Sequence, residues 1–179
     1  MPKKILFLLT FILFTCTASL HLQGAIELPA MFGDHMVLQR DKPIPVWGWS
    51  DEGQEVKVSF GGKSATAKAG KAGRWEVRLP AIKASAQGRE LTIEGSEKIV
   101  IQDVLVGEVW VCSGQSNMEW SVNGALNPNE EKQAANHPKI RHIKVPRVPS
   151  DSHERTFNSS WQVCSPATAG GFTAVGYYF

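Results

Sequence analysis

"DVLVGEVWVCSGQSNMEW", residues 103–120, is where the grammar of the chain changes. Upstream of it, short runs alternate apolar and polar residues. Within it, apolar residues are nearly continuous, as in a strand covered on both faces. Gly107 and Glu108 interrupt the run, so it reads as two pieces: Val104–Val106 closing one sheet and Val109–Cys112 opening another. Behind the second piece, Ser116-Asn117-Met118-Glu119 has the S-x-x-E spacing of a capping box, in which a serine starts a helix. The same serine has a second reading. On a sharp turn between a buried strand and a helix it is placed as a nucleophile, and Gly114 supplies the residue without a Cβ that such a turn needs. The spacing is not the G-x-S-x-G elbow, because Met118 stands where the second glycine would be. Local pattern alone favours the cap.

Outward from this stretch, residues 26–102 read as an antiparallel β-sandwich. In "EVKVSF", Val56, Val58 and Phe60 share a face; in "RWEVRLP", Trp75, Val77 and Leu79 do; "ELTIE" repeats the scheme with Leu91 and Ile93. Alternation with period two marks half-buried strands. The glycine-bearing breaks "DEGQ", "FGGK", "AGKAG" and "AQGR" read as turns. Trp47 and Trp49 fall on one strand face. With Trp75, they read as packing residues before they read as a platform for sugar rings.

Residues 103–179 read differently. A loop spans Asn123 to Asn129, a short helix is expected at Glu130–Ala135, and "IRHIKV" (140–145) and "WQVC" (161–164) read as strands. Strand, helix, strand, loop, strand is the opening of an α/β fold. At the end, Phe172, Val175, Gly176 and Phe179 fall at i, i+3, i+4 and i+7, the stripe of an amphipathic helix. That stripe is still running at the last residue, so the sequence reads as a fragment of a longer protein.

The 179 residues carry 19 basic and 17 acidic side chains. Lys3 and Lys4 precede an apolar run from Ile5 to Phe14 and then small residues, the order of a secretory signal, assigned here to residues 1–25. The protein is therefore expected to be exported, periplasmic or extracellular, and the run is too short for a membrane span. Without the two lysines, 17 basic residues face 17 acidic ones. A neutral mature chain has no electrostatic footprint for nucleic acid or an anionic membrane. Cys16 leaves with the signal. Cys112 and Cys164 remain, each in an apolar run where a disulfide and a buried free thiol are both open readings. The histidines show no metal-ligand spacing, and no cofactor motif is present.

Here a resemblance enters. "GEVWVCSGQSNMEW" resembles the nucleophile block of SGNH-type serine esterases, in the form seen in sialate O-acetylesterases. The likeness extends upstream through "LPAMFGDHMVLQRDKPIPVWGWSDEGQEVKVSF" and "GRWEVRLP" and downstream through "WQVCSPATAGGFTAVGYYF". It implies that Ser116 is the catalytic nucleophile and that its backbone N–H is an oxyanion donor. It also implies that residues 103–179 are the truncated start of a three-layer SGNH-type α/β hydrolase domain. The implied substrate is an O-acetylated sugar or sialoglycan.

The resemblance further places the family's histidine in a D-x-x-H block near the C-terminus, with other oxyanion donors in intermediate blocks. None of these is found in the 179 residues. Asp151-Ser152-His153 is one residue short of D-x-x-H and sits in a polar loop. His35 and Arg40 read as turn anchors, and Asn158-Ser159-Ser160 is a glycosylation sequon. Two other readings stay open: a non-catalytic carbohydrate-binding sandwich, and an esterase acting on acetylated plant polysaccharide.

Overall fold

The structure, a computed structural model, describes residues 24–179. The signal segment and Cys16 fall almost wholly outside the described residues. Seven strands come first: β1 Val37–Gln39, β2 Ile44–Trp49, β3 Glu55–Phe60, β4 Lys63–Lys68, β5 Arg74–Leu79, β6 Ser85–Glu94 and β7 Lys98–Gly107. Five of them form a sheet in the order β1-β7-β6-β3-β4, and β2 pairs with β5 in a separate antiparallel ribbon. The alternation seen in the sequence sets which side chains lie between the two layers. Val56, Val58, Phe60, Trp75, Val77, Leu79, Leu91 and Ile93 are at most 2 % exposed. Each aliphatic side chain so buried contributes about 1.5–3 kcal/mol of transfer free energy.

Two expectations for this region need correcting. The sheet is not wholly antiparallel, because β1 lies parallel to β7 with Val37 opposite Leu105. A parallel pair needs a long crossover, and here the whole of β2–β6 serves as one. The second correction concerns "AQGR", which is no turn but part of β6. The ladder between β6 and β7 is irregular between Ser85 and Arg89 and again between Arg89 and Leu91. Gly88 sits in that irregularity because a Cβ there would collide with the Asp103 carboxylate. Its glycine marks a close approach, not a reversal.

Beyond Gly107 the elements are short: α1 Ser116–Glu119, a 3-10 turn Val122–Gly124, α2 Pro128–Ala134, β8 His137–His142, β9 Gln162–Cys164, a 3-10 turn Ala169–Gly171, and α3 Ala174–Tyr178. Pro128 opens α2 and Glu130 and Glu131 occupy its first turn, both suited to a helix start. β8 pairs antiparallel with β9, His142 opposite Gln162. A second small core gathers Val122, Ala135, Cys164, Ala169, Phe172 and Ala174.

Val109–Cys112 is not a strand. Among the described residues no strand pairs with it, so its backbone has no ladder. Trp110 is 66 % and Val111 89 % exposed. The segment is anchored instead by Val109 N–H donating to Gln39 Oε1 at 2.9 Å and by Trp110 meeting Phe179 edge to face. The C-terminal stripe is corrected too. Phe172 precedes α3 and is buried, whereas Val175 and Phe179 are exposed and Ala174 packs inward. The expected strand at 140–145 lies earlier, at β8. Cys112 is exposed, Cys164 is buried, and among the described residues the two do not pair with each other. The described chain is therefore β-rich with few, short helices.

Candidate functional site

Ser116 stands on a tight turn. Gly114 has φ +153°, a conformation that favours glycine, and Gln115 is extended. Gln115, not Ser116, is the N-cap of α1, and it makes no side-chain capping bond. The capping box is thus not formed. The turn at Gly114 shifts the helix start by one residue, so Ser116 is the first helical residue and is exposed. Glu119 is engaged elsewhere, in an ion pair with Arg147, Nη2 to Oε2 at 2.5 Å. Met118 N–H donates to Gln115 O at 2.9 Å and Trp120 N–H to Asn117 O at 3.3 Å, closing the single turn of α1.

This turn is held from the opposite side of the second core. Thr173 Oγ1 donates to Met118 O at 2.6 Å, and Ala174 N–H donates to Trp120 O at 2.7 Å. Val122 N–H donates to Phe172 O at 3.1 Å. Phe172 in turn stacks on the His142 ring, with centroids 4.3 Å apart and planes 29° from parallel. Burial, and then the nearby Lys144 charge, pulls His142 below the usual imidazole range. The sequence marked neither Thr173 nor His142, since both act over spacings too long for a local pattern.

A second polar cluster joins the sandwich to β8. His35 Nδ1 and Asp103 Oδ2 are 2.8 Å apart, and Arg141 Nη1 donates to the same oxygen at 2.8 Å. Arg141 also donates from Nη1 to His35 O at 3.2 Å and from Nε to Pro138 O at 2.9 Å. Its side chain is only 5 % exposed. Hydrogen bonding from Arg141, and next from His35, holds the Asp103 carboxyl below the usual carboxylate range. Both His35 (φ +68°) and Asp103 (φ +54°) adopt left-handed backbone. The anchoring role read for His35 is thus present, with partners 68 and 106 residues distant. Arg40 anchors likewise, donating from Nε to Glu108 Oε1 at 2.6 Å.

The remaining candidates are ordinary. Trp75 is core, Trp47 meets Phe32 edge to face at 4.7 Å, and Trp49 lies under the Arg155 guanidinium at 5.1 Å. Asp151 and His153 are exposed in a loop.

With this geometry in view, comparison with known proteins is informative. No family model matches the chain. It is 31 % identical over 109 residues to a sialate O-acetylesterase of Rattus norvegicus, covering 55 % of this chain and 20 % of that protein. It is 29 % identical over 128 residues to a sialate O-acetylesterase of Homo sapiens, covering 65 % of this chain and 24 % of that protein. The chain thus spans about a fifth to a quarter of the curated relatives it matches. A solved structure of a carbohydrate acetylesterase from Xanthomonas citri superposes with a TM-score of 0.82 at 44 % identity, covering 86 % of this chain and 36 % of that one.

Proposed function

From its similarity to sialate O-acetylesterases and to a carbohydrate acetylesterase, we propose that the chain belongs to the sialate O-acetylesterase family and carries the nucleophile of an exported carbohydrate O-acetylesterase, with Ser116 in that role. The observation that carries the reading is the placement of Ser116. It is exposed, it directly follows the Gly114–Gln115 turn, and its segment is pinned by Thr173 to the second core. A side chain on a turn fixed from behind is positioned to attack without reorganising.

In this mechanism Ser116 Oγ attacks the acetyl carbonyl carbon while a histidine takes its proton. The sugar oxygen leaves with that proton, and an acetyl-serine remains. Water then attacks, releasing acetate and restoring the hydroxyl. The Ser116 N–H would be one donor to the carbonyl oxygen as it becomes negative. The base belongs to a D-x-x-H block that the 179 residues do not contain. The chain alone is therefore expected to turn over little substrate, since loss of one triad member typically costs on the order of 10⁴ in kcat. In this reading residues 103–179 are the first part of the three-layer hydrolase domain, and the acetylated sugar is a sialoglycan or a plant polysaccharide.

A chimera tests the proposal. Residues 24–179 replace the matching part of the Xanthomonas citri esterase, and acetate release from an acetylated sugar is measured. Activity that falls by about 10⁴ in Ser116→Ala supports the assignment. Activity indifferent to that substitution would overturn it.

A further inference from the structure

A trough runs along β9 between the two cores. One part, of about 710 Å³, has Phe32, Asp34 and His35 on the sandwich side and Ser160, Trp161 and Gln162 on the other. A second part, of about 270 Å³, is bounded by His142, Lys144 and Phe172. The two share the wall made by Ser159, Ser160, Gln162 and Thr168. We propose that this trough binds an oligosaccharide chain and forms a glycan subsite separate from the Ser116 turn. The inference rests on the reading of the protein as a carbohydrate esterase and adds to it where the sugar chain lies.

Four observations carry it. The larger part falls within the roughly 300–1,000 Å³ typical of small-molecule sites, and the smaller part shares four wall residues with it, so that together they offer room for more than one sugar ring. The shared wall is made of hydroxyl and amide side chains, groups that both donate and accept, as a polyhydroxyl ligand requires. Fixed charge is sparse along the trough, with Asp34 in one part and Lys144 in the other. A phosphate ligand would call for a cluster of cations, which is not there. The fourth is preorganisation. His35 is held in left-handed backbone, its Nδ1 bound to Asp103 and its carbonyl bound by the buried Arg141, which leaves Nε2 as the ring's other hydrogen-bonding atom. Residues held in sparsely populated backbone regions cluster at ligand sites and switch regions.

The test uses the full 179-residue chain bearing Ser116→Ala, titrated with xylohexaose and with sialyllactose while backbone amide NMR shifts are followed. The expected result is saturable shifts at residues 33–35 and 159–163 with at least one of the two sugars. The double variant Ser160→Ala/Gln162→Ala, at two exposed positions, should weaken that binding about tenfold or more, from the loss of two hydrogen-bonding groups. Absence of saturable shifts with both sugars, or binding unchanged by the double variant, would overturn the proposal. Binding is measured without the nucleophile, so failure of Ser116 as a catalyst leaves this result intact. Failure of binding likewise leaves hydrolysis by the chimera intact.

Discussion

Arg141 of β8 donates to Asp103 of β7 at 2.8 Å, joining two sheets through one carboxylate oxygen that also meets His35. The Arg141 side chain is only 5 % exposed, so its charge relies on these partners rather than on water. Arg141→Ala should therefore destabilise the chain by about 1.5–3 kcal/mol, the range for hydrogen bonds to charged groups. The urea midpoint measures this. Asp103→Asn should cost less, because Asp103 is partly exposed and an amide oxygen still accepts. A loss smaller for Arg141→Ala than for Asp103→Asn would contradict the clamp.

Gly88 leaves room for that clamp. Gly88→Ala drives a methyl group into the Asp103 carboxylate, and overpacking of this kind typically costs about 1–3 kcal/mol. The contrasting site is Gly107, where a Cβ would meet only the Val37 side chain at an ordinary 3.6 Å. Thermal unfolding of the two alanine variants should show the larger fall in Tm at position 88.

The thiols offer a simple check on burial. Cys112 is exposed and Cys164 is 1 % exposed, with burial pushing its thiol pKa up. A thiol-reactive dye should modify Cys112 rapidly and Cys164 only on unfolding. Cys112→Ser should remove the fast phase assigned to it. Fast labelling of Cys164 in the folded chain would place it outside the second core.

The sandwich was legible because its information is local. Val56, Val58 and Phe60 alternate within one strand, and alternation alone assigns them to the core. The clamp was not legible, since His35, Asp103 and Arg141 are brought together only by sheet pairing, and no spacing in the sequence encodes that. Gly88 misled for a related reason: glycine marks a turn and a close approach equally well. Val109–Cys112 carries the composition of a buried strand, yet burial depends on neighbours, and among the described residues none pairs with it. Ser116 was singled out by resemblance, while the N-cap position at Gln115 depended on the turn at Gly114.

His142 sets a pH dependence whose sign follows from its surroundings. Stacked on Phe172 and half-buried near Lys144, it has a folded-state pKa below the usual value of about 6.5. As pH falls through 6.5, the unfolded chain takes up the proton first, and stability declines with pH until the folded pKa is reached. The contribution is complete above about 6.5 and lost as pH falls through the folded value. Asp103, also depressed, follows the same direction in a lower window, its contribution present above about 4 and lost as pH drops through its folded pKa. The two are separable by substitution. His142→Phe keeps an aromatic ring against Phe172 and removes the titrating group, so the decline in urea midpoint between pH 7.5 and pH 5 should shrink, while the decline below pH 4 should persist. An unchanged slope between pH 7.5 and 5 in that variant would show that the ring does not titrate with folding.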